Sequence, residues 1–275
     1  MNAIRLLFLA SSATLFLPAL RGQDPGVISG MEEVFDRPSA LAQTPGPVTC
    51  ILDTEHPDTI KDKLSKKPIP EYKCRVLQRK VREITGLPCI LVHHAEVTRK
   101  DFEQPNLKAI LLMARSKSIN PALDRELFAL IRETKIPMIG FCGGLQLIVQ
   151  AYGGKIDYMR KLNPNEIDTN PKYQPGWFKE WGFMPVRVSK EDRLFANLPS
   201  SLLVKEMHAW QIVSLPKEFE ILGETAECKI EIAKHRDKPL YGTQFHPEAY
   251  DDQHLDGRKL LENFFRIAGL ALGPR

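Results

Sequence analysis

Four short apolar runs, VTCILD at 48–53, PCILVHH at 88–94, LKAILLMA at 107–114 and IPMIGF at 136–141, are separated by helical patterns. This alternation restricts the architecture more than any other feature of the chain. The stretch 72–85 carries Cys74, Leu77, Val81 and Ile84 at helical spacing and is closed by Gly86, while Pro121 opens a helix whose Leu123, Leu127, Leu130 and Ile131 share one face. Strands joined through helices pair in parallel by crossover connections, so the first half is expected to be a three-layer α/β sheet. The second half has a different rhythm. Short β-like runs at 183–188, 202–206, 210–214, 219–223, 228–234 and 239–245 are separated by turns, before a last helix over 257–268 with Asp256 at its N-cap.

The chain has 275 residues, 43% of them apolar, enough to bury a core in one domain of ordinary size. Residues 1–22 have a basic start, an apolar run from Leu6 to Leu17 and a helix-breaking Pro18, and read as a secretory signal peptide. The run is too short to span a bilayer comfortably; an uncleaved anchor or a misassigned start are the alternatives. Thirty-eight Lys and Arg against 34 Asp and Glu give +4, falling to +2 once Arg5 and Arg21 leave with the leader. That balance excludes an electrostatic nucleic-acid binder. Residues 23–47, rich in Pro, Gly, Ala and Ser, read as a linker or N-terminal arm, 48–270 as the folded domain and 271–275 as a tail. Export makes the protein secreted or periplasmic, with no membrane contact after removal of the leader; without it the protein is cytoplasmic. Cys50, Cys74, Cys89, Cys142 and Cys228 are an odd set, so at least one thiol is unpaired or pairs between chains. If Cys142 is the free one, the other four allow three pairings, or are small buried residues.

The most informative stretch is IPMIGFCGGLQLIVQAYGG, where an apolar strand runs into Gly140-Phe141-Cys142-Gly143-Gly144 and then a helix. A nucleophile on a sharp strand-to-helix turn needs small neighbours because its backbone is strained and the flanking chain passes close by. The helix N-terminus also favours the thiolate, the form that attacks carbonyl carbon. A second motif, GTQFHPE at 242–248, places Glu248 two residues from His246. In extended chain such residues project to the same side, so the carboxylate can hold the imidazole tautomer. Cysteine nucleophile, histidine base and carboxylate orienter together follow triad logic.

At these residues the chain resembles the class I glutamine amidotransferase domain over about 48–270. Gly140, Cys142, Gly144 and Gln146 match its nucleophile motif and Phe245 to Glu248 its His-Pro-Glu motif; Glu180 to Phe183, 194–199, His208 and Asn263-Phe264 are weaker echoes. The resemblance implies a flavodoxin-like three-layer sandwich with a mainly parallel sheet and added β-hairpins in the second half. It implies that Cys142 attacks a γ-glutamyl amide, that His246 passes the proton to the leaving amine, and that water releases glutamate from a thioester. The oxyanion would be held by the N–H of Gly143 and one from the loop after the third strand, at Arg115, with Gln146 and His208 lining or neighbouring the substrate pocket.

One departure stands out. The loop after the third strand reads Met113-Ala114-Arg115-Ser116-Lys117 where the family usually has a glycine pair and proline. Ala114 and Arg115 carry side chains, so positive φ is costly there and the swing of a peptide N–H toward an oxyanion is hindered. Arg115 could instead offer charge. Residues 157–178 form an extra segment, a lid, a partner site or a plain surface excursion, the last being the default reading. No cofactor and no metal is expected: His93-His94 and the group Asp251, Asp252, His254 and Asp256 are read as a solvated loop and a helix cap. The leading expectation is a stand-alone cysteine amidohydrolase acting on glutamine or another small γ-glutamyl amide. The alternatives are a glutaminase subunit working with a separate synthetase, which suits the cytoplasm, and a weakly active binding or regulatory module.

Overall fold

The structure, a computed structural model, describes residues 27–273. The signal peptide read at 1–22 lies outside the described residues. In chain order the elements are α1 (Ala40–Gln43), β1 (Val48–Asp53), α2 (Pro57–Leu64), α3 (Lys73–Thr85), β2 (Cys89–His93), β3 (Leu107–Leu112), α4 (Pro121–Glu133), β4 (Met138–Phe141), α5 (Gly143–Ala151), β5 (Lys155–Tyr158), β6 (Glu180–Val188), β7 (Ser201–His208), β8 (Trp210–Ser214), β9 (Phe219–Glu224), β10 (Ile232–His235), β11 (Leu240–Thr243) and α6 (Asp256–Ile267). Single 3-10 turns are interspersed among them.

Nine strands form one sheet in the order β2-β1-β3-β4-β11-β10-β9-β6-β7, and β5 pairs with β8 in a separate ribbon. The first five run parallel and the last four join antiparallel. The parallel part is the flavodoxin-like order, with the strands of the first half and β11 arranged as 2-1-3-4-5. Strand period decides which face each residue joins: Ile51, Leu91 and Leu111 pack with α3 and α6, while Cys50, Leu52, Ile110 and Leu112 pack with α4 and α5. Both faces are covered, which is why these strands read as continuous apolar runs. The expected three-layer sandwich is the observed one.

Of the two readings of 23–47, a linker or an N-terminal arm, residues 27–43 take the second: Ile28, Met31, Val34 and Phe35 are buried with Leu91, and Asp36 exchanges hydrogen bonds of 2.7 and 2.8 Å with the Leu91 backbone. α2, not anticipated from the sequence, is started by Pro57 with the His56 side chain accepting from the Asp58 N–H. Other local expectations need correction. Asp256 is not an N-cap; Leu255 holds that position, and the Asp256 carboxylate accepts the Leu203 N–H at 2.8 Å. All five cysteines are free thiols, so none of the three disulfide pairings forms. Among the described residues, no helix is long and apolar enough to cross a membrane.

Candidate active site

In an open sheet of this order, ligands bind beyond the carboxyl ends of the strands, near the point where strand order reverses. β1, β3, β4 and β11 all deliver chemistry-bearing residues there. After β4 comes Cys142, with φ 51° and ψ −110°, one of four non-glycine residues at positive φ among those described. The tight turn is enforced by packing. A Cβ on Gly140 would stand 2.5 Å from the Gly144 carbonyl carbon, and one on Gly144 would stand 2.2 Å from the Leu112 oxygen. Only hydrogen fits at either place, and the cost of holding Cys142 in a sparsely populated region is offset by the surrounding α5 and β4 contacts.

His246 follows β11 and is anchored to β7 by its N–H, which donates to the Lys205 carbonyl at 2.8 Å. Its Nδ1 faces Glu248 Oε1 at 2.7 Å, and the ring and the Cys142 thiol lie near enough to shift each other's proton affinity. The carboxylate is brought round by a single 3-10 turn, Pro247–Ala249, because β11 ends at Thr243; the extended geometry expected from sequence is replaced by a turn with the same consequence. Lys80 Nζ donates to the Glu248 and Tyr250 carbonyls at 2.8 and 3.0 Å, pinning that turn to α3.

These contacts set the charge states. Burial pushes the Cys142 thiol up, but the neighbouring His246 and the Gly143 N–H outweigh it, so the thiol lies below its ordinary value. Burial pushes the His246 imidazole down, but Glu248 and Cys142 outweigh it and raise it to about 10. Both directions favour a thiolate–imidazolium pair at neutral pH. By contrast, burial pushes the thiols of Cys50, Cys74, Cys89 and Cys228 up. Only Cys142 combines access with a favoured thiolate.

Cys142, Gly143, Gln146, Arg115 and His208 all line one cleft of about 530 Å³. Gln146 reaches Cys142 through Gln244, a residue inside the 242–248 motif to which the sequence assigns no role. Gln146 Nε2 donates to Gln244 Oε1 at 3.1 Å, and Gln244 Nε2 donates to Cys142 Sγ at 3.4 Å. The loop after β3 lies directly over the helix start, with Ala114 Cβ 2.8 Å from where a Cβ on Gly143 would sit and the Arg115 nitrogen 3.7 Å from it. Neither Ala114 nor Arg115 has positive φ. The Arg115 guanidinium pairs with Asp124, so its charge is turned to α4 and its N–H is the part offered near Gly143.

That loop is braced from the end of β1 by Glu55, which the sequence does not single out either. Its Oε1 accepts from Ser116 N–H and Oγ, both at 2.7 Å, and its Oε2 from Lys63 Nζ at 2.6 Å. The extra segment is more than a surface excursion. β5 pairs with β8, Tyr158 stacks on Trp177 at 4.3 Å, and Tyr173 and Gln174 line the cleft. His93 and His94 are buried, not in a solvated loop. The His93 nitrogens are taken by the Glu55 carbonyl at 2.8 Å and the Ala95 N–H at 3.3 Å. His254 pairs with Asp251 at 2.7 Å and stacks on Phe183. Among the described residues, those placed to hold a cation lie elsewhere: Glu180, Glu206, His208 and Glu231, all buried, bring ligand atoms within 4.8 Å of one another.

A family model described as glutamine amidotransferase class-I matches residues 74–268. The chain belongs to this family. Among its amidotransferase relatives, a protein of Methanococcus maripaludis named as a subunit of glutamine-hydrolyzing GMP synthase is 31% identical over 193 residues, 70% of this chain and 90% of that protein. The protein of the same name from Archaeoglobus fulgidus is 36% identical over 151 residues, 54% of this chain and 71% of the relative. That of Pyrococcus abyssi is 33% identical over 137 residues, half of this chain, and the chain spans only 63% of that relative. The crystal structure of a putative GMP synthase subunit from Thermoplasma acidophilum superposes with a TM-score of 0.59 at 21% identity, covering 82% of this chain and 94% of that one, which establishes the shared amidotransferase fold.

Proposed function

We propose that this chain hydrolyses the side-chain amide of glutamine and supplies the ammonia to a separate synthetase. The observation that supports the hydrolysis is the thiol at the strand-to-helix turn, whose proton affinity is lowered beside an imidazole that Glu248 orients. The Cys142 thiolate attacks the amide carbon, and the negative charge moves to the oxygen, toward the N–H groups of Gly143 and the Arg115 loop. Collapse breaks the C–N bond, and the His246 imidazolium gives its proton to the departing nitrogen, leaving a thioester and ammonia. Water then attacks the thioester carbon, His246 accepts its proton, and glutamate leaves as the thiolate reforms.

The synthetase is suggested by relatives named as subunits of a glutamine-hydrolyzing synthase, one of them matched over 90% of its own length. The test is glutamate release from glutamine and a panel of γ-glutamyl amides by the full chain, with a search for a stoichiometric ATP-dependent synthetase in material purified from the native source. Release that is lost in Cys142→Ser supports the mechanism; release that survives the substitution overturns it. A second reading, a stand-alone exported amidohydrolase, is favoured by the basic and apolar stretch at 1–22. A mature N-terminus at Gln23 selects it, because an exported chain does not meet an ATP-dependent partner.

A further inference from the structure

The four buried side chains beside the cleft do not form a self-satisfied polar network. Glu180 and His208 stand opposite each other in the β6–β7 register, and Glu206 lies two residues before His208, on the same face. Glu231 joins from the turn before β10, its backbone fixed by hydrogen bonds of 2.9 Å to Gly223 and 2.7 Å from Gln244. Each of the four is at most 1% exposed.

The tautomer of His208 decides what the cluster can be. Its Nδ1 lies 2.9 Å from the Trp210 carbonyl, which can only accept, so Nδ1 carries the hydrogen. In the neutral ring, Nε2 then presents a lone pair. Facing it are Glu206 Oε2 at 3.1 Å, Glu180 Oε2 at 3.2 Å and Glu231 Oε1 at 3.6 Å. If Nε2 were protonated, one N–H still could not serve three carboxylates. Nε2, both oxygens of Glu206, both of Glu231 and Oε2 of Glu180 have no hydrogen-bond partner. The other Glu180 oxygen is already taken by Thr225 Oγ at 2.6 Å, so Oε2 is the oxygen left facing the group. Lone pairs converging in a dry interior are strongly unfavourable unless protons or a cation sit among them, and the donor set here suits a cation.

We propose that Glu180, Glu206, His208 and Glu231 form a structural binding site for one divalent first-row transition-metal ion. Three carboxylate oxygens and one imidazole nitrogen suit manganese, iron or zinc. Neighbouring donors round such an ion stand about 3.0–3.4 Å apart at bonds near 2.1 Å, near the 3.1 and 3.2 Å that separate Glu206 and Glu180 from His208 Nε2, and the widest 4.8 Å span has to close on binding. The Nδ1–H bond to the Trp210 carbonyl is the outer contact that a ligating imidazole needs to fix its ring and tautomer. A dication with a neutral imidazole reduces the charge of the three carboxylates from −3 to −1. The donors are sealed from solvent and come from β6, β7 and the turn before β10, so the ion ties the antiparallel strands into the wall of the cleft, where His208 also stands. No substrate needs to reach it.

The test uses the untagged full chain, stripped with a chelator and titrated with Mn²⁺ by calorimetry and electron paramagnetic resonance. One equivalent bound per chain, with a melting temperature that rises and saturates at that stoichiometry, supports the site. Glu206→Gln, checked for folding by circular dichroism, should weaken binding at least tenfold. Should that variant not fold, anomalous diffraction from Mn²⁺-soaked crystals of the unsubstituted protein takes its place. A peak among the four side chains supports the proposal. A peak elsewhere, unchanged binding in a folded Glu206→Gln, or no binding at millimolar Mn²⁺ overturns it. None of these readouts depends on glutamine hydrolysis.

Discussion

Replacing Glu55 with Gln tests how the loop over the nucleophile is held. Glu55 is 2% exposed and receives Ser116 N–H, Ser116 Oγ and Lys63 Nζ, with Lys73 Nζ at 3.9 Å. Burial alone would push its carboxyl up, but Lys73, Lys63 and Ser116 outweigh that and hold it at about 2 instead of the ordinary 4.5. At about 1.4 kcal/mol per pH unit, this corresponds to about 3 kcal/mol at neutral pH. The two lysines are about two-fifths exposed, so solvent screening reduces the expected loss in the amide variant to about 2 kcal/mol. For a chain of this size that is a fall in melting temperature of about 4–8 °C. The folded value is depressed, so the stabilisation is fully present above pH 4.5 and is lost as pH falls toward 2. Urea unfolding of both proteins at pH 7, 5 and 3 should show the full gap at the first two and less than roughly half of it at pH 3. A gap under about 0.5 kcal/mol at pH 7, or one equally large at pH 3, refutes the reasoning. The same substitution should lower kcat more than it changes KM, because an oxyanion donor acts only in the transition state.

Two further expectations concern the nucleophile. The rate of Cys142 alkylation by iodoacetamide should rise with a midpoint below that of an ordinary thiol, and His246→Ala should move the midpoint upward; an unmoved midpoint would show that the imidazole does not hold the thiolate. Arg115→Gly removes the side chain that makes positive φ costly, and kcat should rise by about threefold or more as the loop N–H gains freedom to meet the oxyanion. A fall would mean that the Arg115–Asp124 pair holds the loop in its working position.

The parts of the site that are readable from sequence share one property: their signal is local in the chain. Gly140 and Gly144 around Cys142 are demanded by a turn within five residues, and Glu248 meets His246 from two residues away. Glu55 escapes notice because its partners are Ser116, Lys63 and Lys73, 61, 8 and 18 residues along the chain, with no pattern linking them. Gln244 looks like an ordinary strand-end residue until the meeting of β11 with β4 puts its amide against Sγ. The docked arm is obscured by its Pro and Gly content, which masks the scattered Ile28, Met31, Val34 and Phe35 that the sheet buries.

The amino-acid order alone determined the layered α/β architecture, because strands buried on both faces and amphipathic helices carry periodicities of two and 3.6 that need no partner to be recognised. It also marked the glycine-lined turn at Cys142 and the His246–Glu248 pair, because in each the interacting residues lie within a few positions of one another. Only the tertiary structure decided that the turn after β4 and the histidine after β11 come to the same end of the sheet, that the Arg115 charge is turned to Asp124, and that three glutamates converge on His208. Those facts arise where strands distant in the chain are brought side by side, and there charge and desolvation act through space rather than along the backbone.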